Sequence, residues 1–216
     1  FFFTAIKTNP IPNALTLLFV SPLIVAMLAP FVLGERFDVF IGIGVLVGFV
    51  GVVIVLQPDT DQFKPSLLYA LVAGFCYSLY IITTRKLSLS GPPLLTLFYT
   101  AIVGTLVLGP MAVSSWVAPD LMGILMSATM GLVAAISHFM IIKSFENATA
   151  SELSPFGYFE IVVAMVLSYF VFKFVPTFEA VVGLIIIISS GLFVSWRAMK
   201  NNRTITKKSE SVIEML

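Results

Sequence analysis

The sequence predicts an all-α fold, a polytopic transmembrane helix bundle, on three observations. Hydrophobic residues make up 59% of the 216-residue chain, and its mean hydropathy is +1.06. Charged residues are only 11%, against about a quarter in a soluble domain. The few charges gather between long apolar runs, each long enough to cross about 30 Å of hydrocarbon as a helix. Lipid is therefore the solvent for most of this chain.

The charge-free runs are Thr8–Gly34, Val39–Pro58, Pro65–Thr84, Leu87–Pro119, Leu121–Ile142 and Ala180–Trp196, while 153–172 carries Glu160 alone. They predict seven helices near 12–33, 39–56, 66–84, 93–113, 120–142, 153–172 and 179–196, after a stub that ends before Lys7. Short connections hold the helix-breaking residues: Gly34-Glu35-Arg36, Gln57-Pro58-Asp59, Gly91-Pro92-Pro93, Ala118-Pro119-Asp120 and Val175-Pro176. The polar tail from Arg197 is expected to be disordered at its end. The chain opens Phe1-Phe2-Phe3-Thr4, with neither an initiator Met nor a basic leader. It reads as a sequence entered partway through a helix.

Composition also excludes function classes. A net charge of +1 gives no basic field, so nucleic acid is not an expected partner. With Cys76 alone no intrachain disulfide forms, and with His138 alone no two-His metal site forms. No cofactor is expected.

Lys and Arg set the orientation. Alternating sides after each helix puts nine of the 12 on one side: Arg36, Arg85, Lys86, Lys143, Arg197, Lys200, Arg203, Lys207 and Lys208. Lys7, Lys64 and Lys173 fall on the other. The richer side, with the C-terminus, is cytoplasmic by this rule, and a bacterial inner membrane is the expected location.

A repeat runs through the chain. Phe37, Gly44 and Gly51 are spaced as Pro176, Gly183 and Ser190 are. Each set follows a helix ending in a tight turn, Phe31-Val32-Leu33-Gly34-Glu35 and Phe170-Val171-Phe172-Lys173-Phe174. An odd number of helices separates the copies, so their orientations are opposed, as in the inverted repeats of secondary transporters. The expected organisation is 1–58 as the remainder of a first repeat, 66–196 as a complete second repeat of five helices, and 197–216 as the tail. About three helices of the first repeat would then lie upstream.

Four stretches resemble the drug/metabolite transporter superfamily, and within it the EamA-type carriers. Phe19-Val20-Ser21-Pro22-Leu23 through Leu33-Gly34-Glu35-Arg36 resembles a "P…LGER" helix and turn. Val47-Gly48-Phe49-Val50-Gly51-Val52 with Gln57-Pro58 resembles "GFxGV…xP". Ser137-His138-Phe139 through Phe145, and Ser189-Ser190-Gly191-Leu192-Phe193 through Arg197, resemble the helix ends of the second repeat. One departure is Phe172-Lys173-Phe174-Val175-Pro176, where the family pattern has an acidic residue. The resemblance implies ten helices in two inverted five-helix halves, with a small-molecule substrate carried through a central cavity by alternating access.

Polar side chains at membrane depth are the candidate site residues. A carboxylate there costs about 2.5 kcal/mol or more. Glu160 reads as a proton-coupling group, as a contact for a cationic substrate, or as a hydrogen-bonded packing residue. His138 reads as a substrate or proton-relay residue, or as an interhelical hydrogen bond. Tyr77, Tyr99 and Tyr158 are cavity candidates against simple packing. Pro22 and Pro155 kink two corresponding helices and free backbone carbonyls there, for substrate or merely for shape. Gly44, Gly48 and Gly51, and separately Gly123, Ser127, Gly131 and Ala135, predict close helix contacts. Glu35-Arg36 and Arg85-Lys86 read as topology and interface anchors, against a gating salt bridge, since exposed ion pairs contribute little.

The expected partners are a small molecule, the lipid bilayer, protons as a coupling ion, and a second copy of the chain. Two other functions compete. An intramembrane lipid-modifying enzyme needs a cluster of acid, base or metal groups, and one His, one Cys and one mid-membrane carboxylate supply none. A channel needs a ring of like residues from symmetric subunits, whereas this repeat lies within one chain. A topology reporter fused after Arg197 is expected to read cytoplasmic; an external signal overturns the orientation.

Overall fold

The computed structural model describes residues 1–213 apart from Arg36, Phe37, Thr60, Gln62, Phe63, Ser115 and Phe174. The side chains of Met111, Ser114 and residues 201–213 are also outside it. Arg36 and Phe37, used above for orientation and repeat spacing, and Phe174 of the departing turn, thus lie outside the described residues, as do the side chains of Arg203, Lys207 and Lys208.

Among the described residues ten α-helices follow in order: α1 Phe2–Ile6, α2 Ile11–Leu18, α3 Ser21–Leu33, α4 Val39–Leu56, α5 Leu68–Ser88, α6 Pro93–Ser114, α7 Leu121–Ser144, α8 Ala150–Leu153, α9 Phe159–Phe172 and α10 Phe178–Ile213. Single 3₁₀ turns at Pro65–Leu67 and Ser154–Tyr158 precede α5 and α9. Among the described residues these give seven membrane-length apolar spans: Ile11–Leu33, Val39–Leu56, Pro65–Ser88, Pro93–Pro110, Leu121–Ser144, Ala150–Phe172 and Phe178–Lys200. Each answers one of the apolar runs. The ends are chemical: Gly34 takes the left-handed conformation that stops α3, at φ 67°, Asp38 caps α4 through the Phe40 N–H at 2.9 Å, and Asp120 caps α7 through Gly123 at 2.8 Å. The tail from Arg197 continues α10 as helix to Ile213.

The helices form two compact units, Phe1–Ile82 with Thr149–Leu216, and Thr83–Ala148. The core of the first is the antiparallel pair α4 and α10. Gly44 meets Val194, Gly48 meets Ser190, Gly51 meets Gly183 and Ile187, and Gly183 meets Val55. The approach is too close for larger residues. A β-carbon at Gly48 would sit 2.8 Å from both Ser190 Oγ and Tyr158 Cδ2, and one at Gly51 2.9 Å from the Gly183 carbonyl oxygen. Ser190 Oγ donates to the Gly44 carbonyl oxygen at 2.7 Å, a bond that lipid does not compete for. Val45, Val52, Ile187 and Val194 pack around this seam with no exposed surface.

The contacts also repeat themselves. A constant offset takes 44 to 183, 48 to 187, 51 to 190 and 55 to 194. Under it, Gly51–Gly183 maps onto Ser190–Gly44, Gly51–Ile187 onto Ser190–Gly48, and Gly183–Val55 onto Gly44–Val194. The pair packs as two inverted copies of one helix.

A second cluster, Ala5, Ala14, Leu67 and Ala70, ties α1, α2 and the start of α5 together. Its polar partner is Asn13, fully buried, which donates to the Asp59 carbonyl oxygen at 2.7 Å and accepts from the Asp59 N–H at 2.8 Å. Asn9 Nδ2 donates to Ser66 Oγ at 2.9 Å beside it. These amides substitute for backbone partners that the loop would otherwise lack.

In the second unit α6 and α7 pack together, and Arg85 donates to the Phe145 carbonyl oxygen. The stripe Gly123, Ser127, Gly131 and Ala135 corrects an expectation here. Gly131 and Ala135 are exposed, and a β-carbon at Gly131 would meet nothing within 4 Å. Small residues permit close approach but do not enforce it: at Gly131 and Ala135 the described residues leave an open groove toward α6 rather than a tight seam.

Gly48→Leu is expected to destabilise the protein by about 1–3 kcal/mol through overpacking, whereas Gly131→Leu is expected to be neutral within about 0.5 kcal/mol. Thermal melting in detergent distinguishes them.

Candidate functional site

Two of the membrane-length spans, Ile11–Leu33 and Ala150–Phe172, are 23 residues each, and both are broken. The first stops at Phe19 and restarts at Ser21 with Pro22 in its first turn, where the missing N–H costs nothing. In the second, Pro155 sits where α8 would continue. It removes a donor, and the chain tightens into the 3₁₀ turn Ser154–Tyr158 before α9 starts. The two breaks are in contact. A β-carbon at Gly157 would lie 3.6 Å from Pro22 Cγ, and the rings of Phe19 and Tyr158 meet edge to face at 6.3 Å. Pro22, Pro155 and Tyr158, chosen separately from the sequence, thus converge.

Tyr158 is the centre of this junction. It is fully buried, with its ring edge against Gly48. Its hydroxyl has no hydrogen-bond partner among the described residues. The nearby Ser190 hydroxyl is committed to Gly44. A buried hydroxyl without a partner costs about 1–3 kcal/mol, so this one is available to a polar group that enters the junction.

Glu160 lies two residues on, in the first turn of α9, and is exposed. It is within electrostatic reach of the half-exposed Tyr77, whose ring stacks on Tyr80 at 5.8 Å. Gly74, one turn before Tyr77, packs on the Leu17 and Leu18 carbonyls at the end of α2, beside the first break. A carboxylate and a pair of aromatic faces are together a setting for an organic cation.

The second unit holds His138 and Tyr99. His138 lines an open groove of about 730 Å³ between α6 and α7, with Leu94, Leu97, Phe98, Ala101 and Gly131 among its walls. Tyr99 is not part of that lining; it is exposed and stands edge-on to Phe98 at 6.0 Å.

Glu35 does more than anchor an interface. Its carboxylate accepts from the backbone N–H of Ala150 at 2.7 Å, from that of Ser151 at 3.2 Å, and from Ser151 Oγ at 2.9 Å. It thereby joins the α3–α4 turn to the start of the second broken span. Thr149 and Glu152 close a reciprocal capping box at the same helix start. The Thr149-x-x-Glu152 spacing was the available signal for that start, but nothing local in sequence points to a carboxylate at position 35.

A model of the EamA-like transporter family matches residues 1–57 and 64–196 of this chain. The S-adenosylmethionine uptake transporter of Rickettsia prowazekii (strain Madrid E) is 30% identical over 89% of this chain and 65% of its own length. The riboflavin transporter of Vibrio cholerae serotype O1 is 27% identical over 90% of this chain and 66% of its own. The chain therefore spans about two thirds of the relatives it matches. A solved crystal structure superposes with a TM-score of 0.77 at 18% identity, covering 90% of this chain and 71% of the other, a likeness of fold alone. With the family model covering nearly the whole membrane-spanning part, and the inverted helix pair and twin breaks in place, the chain belongs to the EamA-like transporter family, within the drug/metabolite transporter superfamily.

Proposed function

We propose that this chain is the substrate-carrying part of a secondary transporter that moves a small heterocyclic metabolite across a bacterial cell membrane by alternating access, with its C-terminus in the cytoplasm. The observation that carries the reading is the junction of the two broken spans around Tyr158. Such a junction gives backbone and hydroxyl groups to a solute at membrane depth, and the inverted pair α4–α10 supplies the pseudo-symmetry that alternating access uses.

The relatives' names narrow the substrate class. Both S-adenosylmethionine and riboflavin carry a planar conjugated ring system, and S-adenosylmethionine adds a sulfonium cation. The stacked Tyr77 and Tyr80 suit the ring, and Glu160 suits the cation. Glu160 is also the group we assign to proton coupling, because it is the one carboxylate at mid-span. The enzyme reading draws no support from the family, whose matched relatives are named as transporters.

Proteoliposomes of the full-length protein test this. Uptake of labelled S-adenosylmethionine or riboflavin under an imposed pH gradient is expected, and uptake of neither overturns the substrate class. Glu160→Gln is expected to abolish the gradient-driven component with the helical circular dichroism intact; unchanged gradient dependence sinks the coupling role. Tyr158→Phe removes a hydroxyl that has no partner, so its melting temperature is expected to hold or rise slightly, while its apparent KM for the solute rises severalfold. A fall in melting temperature with KM unchanged means that the hydroxyl serves packing instead.

A further inference from the structure

The short turn between α3 and α4 makes two charged contacts with the second repeat, both at the end that the basic residues place in the cytoplasm. Glu35 holds the first residues of the span Ala150–Phe172 by the three hydrogen bonds described above. Three positions on, Asp38 Oδ2 accepts from Arg197 Nε of α10 at 2.9 Å, with the two side chains only 12% and 26% exposed. The Arg197 guanidinium lies 4.5 Å over the Phe40 ring. Hydrogen bonds to a charged group are roughly twice as strong as neutral ones, and these close at an apolar, half-buried surface.

The opposite end has no counterpart by sequence. The offset that relates the repeats takes Glu35 to Phe174, Asp38 to Thr177 and Arg197 to Pro58. It takes Ala150 to Ile11, and α2 does start at Ile11, but behind Pro10 and without a side-chain cap. Thr177 caps α10 through the Ala180 N–H at 3.3 Å, a neutral bond. The mapped positions 174 and 177 hold no carboxylate, so the contacts of Glu35 and Asp38 are not repeated there by sequence.

We propose that Glu35 and Asp38 form a clasp that holds the cytoplasmic end of the broken span shut, and that this end opens only when Glu35 releases Ala150 and Ser151. The 3₁₀ turn Ser154–Tyr158 lies just beyond the held segment, so α8 can part from the α3–α4 turn without moving α9 as a rigid body. Release leaves two N–H groups and one hydroxyl without partners in apolar surroundings, which biases the resting state toward closure at this end. The inference rests on the carrier reading, and positions Glu35 as a residue acting through the helix start rather than on solute.

The test uses the full-length protein with Cys76→Ser, in membranes, and reads the alkylation of cysteines placed by substitution. Ser154→Cys reports on the segment behind the clasp, and Ser78→Cys, fully buried on α5, reports on general loosening. Glu35→Gln is expected to raise the maleimide rate at position 154 about tenfold and leave that at 78 unchanged; Glu35→Asp is expected to restore most of the protection. No change at 154, or equal rises at both positions, overturns the clasp. This readout needs no transport, so it stands even where both solutes fail to be taken up. Separately, Glu35→Cys with Ser151→Cys bridged by a reducible thiosulfonate cross-linker is expected to lose uptake and to regain it with reductant. Undiminished uptake in the bridged protein also overturns the proposal.

Discussion

Lipid tails are as apolar as the helices they surround, so no hydrophobic force holds one membrane helix against another. What holds α4 to α10 is distance. Glycines at 44, 48, 51 and 183 let two backbones come close enough for dispersion contacts along the whole seam, and for a serine to reach a carbonyl across it. The junction of the broken spans is arranged on that pair. Tyr158 lies against Gly48, Phe159 against Gly191, and the broken spans meet over the same seam. A single methylene at the wrong glycine would push the pair apart and carry the junction with it.

The breaks and the seam serve opposite ends. The seam removes polarity from lipid by using residues with almost none to offer. The breaks concentrate polarity, because a proline and a 3₁₀ turn leave groups that the helix itself no longer satisfies. A membrane protein tolerates the second only where protein covers it, and the burial of Tyr158 shows that this cover is complete on the α4 side. Charge is handled in the same spirit. Glu35 and Asp38 sit at helix ends where N–H groups and a guanidinium receive them, whereas Glu160, at mid-span, is exposed within electrostatic reach of Tyr77.

Much of this was legible before any coordinates. Spans defined by charge-free runs are a consequence of solvent, so all seven were readable, and the heptad steps after Phe37 and Pro176 located the two helices that form the seam. Pro22 and Pro155 marked the broken spans because proline lacks the N–H that a continuing helix uses, although Pro30 and Pro110 lie inside unbroken α3 and α6. Sequence did not say that the breaks touch, since Phe19 and Tyr158 are separated by most of the chain and carry no local signature. The small-residue stripe of α7 read the same as that of α4, yet only α4 uses its stripe for a tight seam among the described residues; spacing states what a face permits, not how closely a neighbour comes. Asn13 and Glu35 were missed or understated for a related reason. Each satisfies backbone groups far along the chain, and a hydrogen bond to backbone leaves no residue pattern at its other end.

The seam is the kind of contact found between two identical subunits, drawn into one polypeptide. In a true homodimer every substitution appears twice, and a change helpful at one copy must be tolerable at the other. Here the two copies are separate stretches of one gene. Position 51 is glycine while its mate at 190 is a serine that makes a hydrogen bond across the seam; position 35 holds a carboxylate while its mate at 174 is phenylalanine. Two helices of one chain can thus differ where two identical subunits cannot, so the two ends of the seam need not be alike although the packing that relates them has no preferred direction.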